Sequence, residues 1–253
     1  MSKANELLKK IDETAYPSDE EREKTLLEIC RNYDHTDADD MRGRASLYNE
    51  LGSFYRSRRM LDKAEAAYKY AIEIMKTPVK VGTSQPVCKS CSFEIDSVSI
   101  QDDTDIYSGD YGTILNNLAG CYRLQGKFDE ALKMFDQVEQ IYVSLEDFPK
   151  ELLASCKNNK GLVYLDKKEF SKAETCFNEA FDILKDEDES TYEMAMTYGN
   201  MAVAHYEMGK NEVALKELEK GLEILKKVTG EEAPVYKSLQ SLQKAVADSG
   251  GNY

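Results

Sequence analysis

The sequence predicts an all-α chain, a right-handed α–α superhelix of about eleven helices. Three observations predict it. One pairing of small and large residues recurs four times at a near-constant spacing. Apolar residues keep helical periodicity beyond the four copies, towards both ends of the chain. Glycines mark turns between the paired segments. The composition agrees: 253 residues, 42% apolar and 32% charged, describe a globular chain long enough to bury a sizeable core.

Residues 1–44 come first, as a helical pair. Residues 3–15 carry Leu7, Leu8 and Ile11 on one face, and residues 18–32 carry Leu26, Leu27 and Ile29. Between them Pro17, Ser18, Asp19, Glu20 and Glu21 form a helix-start signal. Counting back one repeat from Gly52 lands in the first of these helices, so the pair reads as a degenerate leading repeat. The first full copy occupies 45–77. An insertion spans 78–105, rich in Pro, Gly and Ser, with Cys88 and Cys91 in a CxxC and a short hairpin expected from Phe93 to Ile100. Further copies fill 106–147, 148–188 and 189–229. Residues 230–253 hold a capping helix that starts at Ala233 and Pro234, turns Leu239, Leu242 and Val246 inward, and keeps a Lys- and Gln-rich face for water.

The copies begin at Tyr48, Leu115, Lys157 and Tyr198. In each, a small residue (Gly52, Ala119, Gly161, Ala202) stands twelve positions before an alanine (Ala64, Ala131, Ala173, Ala214). Four residues beyond that alanine comes a large side chain: Tyr68, Phe135, Phe177 or Leu218. Two helices approach closely only where small side chains face each other and large neighbours fill the space beside them. A single hairpin leaves one apolar face bare, and stacking copies covers it. Gly126 and Gly209 end their helices at the turn.

These motifs resemble the tetratricopeptide repeat consensus. The copies are 42 and 41 residues apart between Ala119, Gly161 and Ala202, longer than the usual period of about 34. Asn116, Asn117, Leu118, Ala119, Tyr122, Gly126, Ala131 and Leu132 are similar to the repeats of kinesin light chains and of bacterial repeat proteins. Tyr48 to Arg56 and Tyr111 to Gly126 look most like the bacterial copies. Two departures stand out. Lys157 and Lys160 replace apolar residues in the third copy, and His205 replaces the aromatic of the fourth, where it reads as a packed stand-in for tyrosine.

Such an array implies a concave side lined by the first helix of each pair. Helical spacing places Asn49 and Arg56, then Asn116, Asn117 and Arg123, then Asn158 and Asn159, then Asn200 on that side. A carboxamide both donates and accepts, so a row of them can pair with the backbone of an extended peptide. The resemblance supports this, because asparagines in tetratricopeptide grooves commonly grip ligand backbones. Arg56 and Arg123 add contacts for a ligand carboxylate. The expected function is a non-catalytic scaffold or adaptor for a protein or extended peptide segment. A bacterial signalling-peptide receptor and a self-associating structural module are the alternatives, and the sequence sets no oligomeric state.

Other classes have little support. Nothing resembles a P-loop, a nucleophile elbow, a dinucleotide turn or an HExxH helix, so no enzyme, cofactor or catalytic residue is expected. A net charge of −14 offers no basic face for nucleic acid or anionic membrane. One CxxC without a second Cys/His pair falls short of a zinc site, so no metal is expected. The start of the chain lacks an apolar h-region, and no run is long enough to span a bilayer. A cytoplasmic protein is expected, with Cys30, Cys121, Cys156 and Cys176 as small buried apolar residues rather than disulfides.

Overall fold

The computed structural model describes residues 3–33, 38–76, 109–145, 150–185 and 191–250. The expected hairpin and the CxxC at 78–105 therefore lie outside the described residues. Eleven helices and no strand occur among the described residues. They fall into two compact units, residues 1–134 and 135–253.

The first unit begins with α1 (Lys3–Glu13) and α2 (Asp19–Asn32). Ser18 starts α2 by accepting a hydrogen bond from the Glu21 N–H at 3.2 Å, and Asp19, Glu20 and Glu21 oppose the positive end of the helix dipole. Both helices pack on α3 (Ala38–Ser57), which folds back through a short turn into α4 (Leu61–Lys76). Gly52 makes this close approach possible: a Cβ there would lie 2.6 Å from the Tyr68 ring, and that tyrosine is fully buried. Against α4 packs α5 (Gly109–Leu124), with Ile114, Leu115 and Leu118 inward. The chain then enters α6 (Phe128–Ser144).

The second unit holds most of α6 and then α7 (Lys150–Asp166), α8 (Phe170–Leu184), α9 (Tyr192–Glu207), α10 (Asn211–Val228) and α11 (Pro234–Gly250). The pairs α7 with α8 and α9 with α10 repeat the packing of α3 with α4. A Cβ at Gly161 would stand 2.4 Å from the Phe177 ring. In the next pair Ala202 shares a core with Leu218. Thr191 caps α9 through the Met194 N–H at 3.2 Å, and Pro234 opens α11, where a missing N–H costs nothing. The last helix seals α10 with Leu239 and Val246.

All four helix-pair turns place the same position in the left-handed region. Gly126 and Gly209 have φ of 76° and 73°, while Arg59 and Lys168 adopt 60° and 59° without being glycine. Lys157 and Lys160, the polar intruders of the third copy, are held by carboxylates. Lys157 donates to Glu139 at 2.8 Å and pairs with Glu179 at 2.7 Å; Lys160 donates to Asp136 at 2.6 Å and Glu139 at 3.1 Å. Burial works against the charge on Lys160, yet these hydrogen bonds raise its pKa overall. The four cysteines expected in helices are buried. Burial pushes the thiols of Cys121 and Cys176 up to about 11, so they stay protonated and unreactive.

Candidate functional site

In the first unit α3 and α5 lie side by side, and the asparagines join them. The Asn117 Nδ2 donates to Asn49 Oδ1 at 2.9 Å. Each carboxamide thereby uses one of its hydrogen-bonding positions, and both side chains are half-buried. One turn further along α3, Ser53 Oγ and Tyr68 Oη are 3.2 Å apart. One turn beyond that sits Arg56. A Cβ on residue 120 would come within 2.9 Å of Arg56 Nη1, so Gly120 leaves the room that the guanidinium occupies. Arg123 lies half-buried on α5. Glu50, next to Asn49 but turned towards α2, meets Arg22 at 3.5 Å; burial raises its pKa.

The same link recurs in the second unit, between α7 and α9. Asn200 Nδ2 donates to Asn158 Oδ1 at 3.4 Å, and Asn158 Nδ2 donates to Thr197 Oγ1 at 2.8 Å. Asn159 is half-buried beside it. Helical spacing placed Asn116 and Asn158 on the open side as well, and both are buried in the structure. Their exposures are only 8% and 7%. Asn49, at the same repeat position three residues before Gly52, is half-buried instead. Asn49, Asn117, Asn159 and Asn200 keep partial exposure, as do Arg56 and Arg123.

A second recurring device was not read from the sequence. Glu65 follows Ala64, and Glu174 follows Ala173. Each accepts from the lysine after the turn glycine of another repeat in its unit: Lys127 to Glu65 at 3.0 Å and Lys210 to Glu174 at 3.3 Å. Burial opposes the charge on Glu65, but hydrogen bonds from Lys69, Gln125 and Lys127 hold its pKa down to about 2. His205 belongs to the same device. It is buried as expected of a stand-in for tyrosine, but both ring nitrogens meet carboxylates: Nε2 at 2.9 Å from Glu174 and Nδ1 at 2.8 Å from Glu217. Tyr55, its counterpart in the first copy, likewise donates to Glu23 at 2.9 Å. The signal was available in the paired recurrence of a glutamate after the alanine and a lysine after the glycine. Among the described residues, no group of three or more His, Cys, Asp or Glu could hold a metal ion. No described helix is long and apolar enough to cross a membrane.

Models of the tetratricopeptide repeat match residues 45–76, 110–186 and 194–234, together more than half of the chain. No curated protein matches it in sequence. Among solved structures, BtubC (BKLC) from P. vanneervenii is similar with a TM-score of 0.66 and 20% identity, over 94% of this chain and 86% of that one. A putative kinesin light chain of Podosopora anserina with nearly identical TPR-like repeats gives 0.55 and 15%, over 82% of this chain and 87% of that one. The apo form of RapI gives 0.58 and 15%, over 83% of this chain and 65% of that one. At these identities the likeness shows the fold, and it is the all-α superhelical repeat class read from the sequence. With three family models in register on helix pairs that nest through Gly52 and Gly161, the chain belongs to the tetratricopeptide repeat family.

Proposed function

We propose that this chain is a non-catalytic binding scaffold that takes an extended peptide segment of a partner protein. The contacts come from the first helices of its repeats. The family supports the general role, since its repeats typically serve protein interactions. One observation supports the specific one: carboxamides recur at one helical position in each unit, half-buried and using only part of their hydrogen-bonding capacity. Amides held in this way are oriented in advance, which lowers the ordering cost of binding. Asn49, Asn117, Asn159 and Asn200 are the backbone-gripping residues, with Arg56 and Arg123 adding charge; Asn116 and Asn158 orient their neighbours. The setting is the cytosol, where the buried thiols stay reduced.

The test is affinity capture with the full chain, followed by mass spectrometry and by the triple variant Asn117→Ala/Asn159→Ala/Asn200→Ala. Loss of the captured partners with a retained helical melting curve is the expected result. Equal recovery by the folded triple variant would remove the amides from the binding surface. Because Asn117 and Asn200 also join helices, the melt must be measured alongside; each lost hydrogen bond costs about 1 kcal/mol.

A further inference from the structure

The seam between α6 and the third hairpin differs from its counterparts at three positions. Counted from the small residue and the alanine of each copy, Glu139 stands where the others carry Ile72, Phe181 and Leu222. Lys157 stands where they carry Tyr48, Leu115 and Tyr198, and Lys160 where they carry Leu51, Leu118 and Met201. At the α8–α9 seam these positions meet as rings, with the centroids of Phe181 and Tyr198 5.6 Å apart. At the α4–α5 seam Ile72, Leu115 and Leu118 are all buried. Between α6 and α7 the same contact is ionic: Glu139 accepts from Lys157 at 2.8 Å and from Lys160 at 3.1 Å. These three side chains are only 16–18% exposed, but their outer partners Asp136 and Glu179 are 58% and 48% exposed. Water therefore already borders the network.

An apolar seam that opens loses its whole burial energy, because water offers its side chains nothing in return. An ion-paired seam loses much less, because hydration returns most of what attraction and hydrogen bonding supplied. We infer that the α6–α7 seam is a joint within the second unit, which water and salt open while the helices on either side stay folded. Salt favours opening because dissolved ions screen the attraction that closes the seam. Asn159 rides on α7, so the joint also adjusts where that amide stands. The joint itself does not depend on the peptide-binding role.

Two fully buried cysteines report on two seams. The Cys156 thiol, on α7, donates to the Phe135 carbonyl of α6 at 3.6 Å, and the Cys121 thiol, on α5, donates to the Leu61 carbonyl of α4 at 3.5 Å. Burial raises the pKa of both, so each reacts only while its seam is open. The test labels the full-length native chain with N-ethylmaleimide and follows each cysteine by peptide mass spectrometry. Cys156 is expected to react at least about tenfold faster than Cys121, while amide exchange in α7 stays slow. Raising sodium chloride from about 0.05 M to about 0.5 M should widen that ratio. The variant Glu139→Ile/Lys157→Tyr/Lys160→Leu, which takes the residues of the first copy, should slow Cys156 about tenfold and leave Cys121 unchanged. Cys156 reacting no faster than Cys121 in the wild type, or a ratio that salt does not move, would overturn the joint whether or not the variant folds. Labelling of Cys156 that rises only together with amide exchange in α7 would mean local unfolding, and would overturn it too. Partner capture by the asparagines is read separately, so either proposal can fall while the other stands.

Discussion

Replacing Gly161 with alanine would place a methyl carbon 2.4 Å from Cε1 of Phe177 and 2.8 Å from two further ring atoms. Ordinary contact begins near 3.4 Å, so the ring must retreat by about 1 Å. That ring is fully buried. Overpacking of this kind costs about 1–3 kcal/mol. Alanine in a helix returns about 1 kcal/mol relative to glycine. The net expectation is a loss of about 1 kcal/mol, or about 2–4 °C in melting temperature for a chain of this size. The fourth repeat shows the remedy, since Ala202 faces a core with Leu218 in place of a ring. Phe177→Leu alone opens space and should cost about 1–2 kcal/mol. The pair Gly161→Ala/Phe177→Leu should therefore lose less than the sum, by at least about 0.5 kcal/mol. Urea unfolding of the four proteins, followed by far-UV circular dichroism, gives the coupling. The reasoning fails if the two changes are additive, or if Gly161→Ala alone stabilises the chain.

Four other outcomes follow from contacts and turns described above. Burial disfavours the charged ring of His205, but the hydrogen bonds to Glu217 and Glu174 outweigh it and raise its pKa; its contribution to stability is then full below about pH 6.5 and disappears as pH rises through the raised value. His205→Tyr should flatten that alkaline decline in urea midpoints, and an identical slope in both proteins would count against it. At the acid end Glu65, held down to about 2, contributes above its ordinary range and loses that contribution as pH falls towards 2, so Glu65→Gln should soften acid unfolding. Lys160→Leu leaves Asp136 without its lysine and Glu139 with Lys157 alone, and should cost about 1 kcal/mol; adding Asp136→Asn should recover part of it, as thermal melts would show. Finally, Lys168→Gly should be neutral or stabilising by up to about 1 kcal/mol, and Gly126→Ala destabilising by a similar amount, because both positions hold positive φ; the opposite ordering of melting temperatures would refute this.

The repeats were legible because packing at Gly52 and Gly161 demands a residue without a side chain, and few other contexts do. Periodicity likewise marked α1, α2 and α11, where one apolar stripe suffices to identify a helix. The binding surface was legible only in part. Spacing identifies a face to within about a quarter turn, which is the difference between Asn116, buried, and Asn117, half-buried. Lys157 and Lys160 looked like faults because their partners Asp136, Glu139 and Glu179 lie on other helices, and no local pattern joins them. His205 was hardest to read. Its ring nitrogens meet Glu174 thirty-one positions earlier and Glu217 twelve later, and only the stacking of α8, α9 and α10 brings these together.

That arrangement bears on how the protein can be taken apart. A fragment beginning at α9 would keep His205 and Glu217 but discard Glu174, stripping the imidazole of one anchor and opening its pocket to water. A fragment ending at α8 would leave Glu174 facing solvent with neither His205 nor Lys210. The third and fourth repeats are thus a single inheritable block despite their separate hairpins, and shuffling them into other arrays would have to carry the pair together.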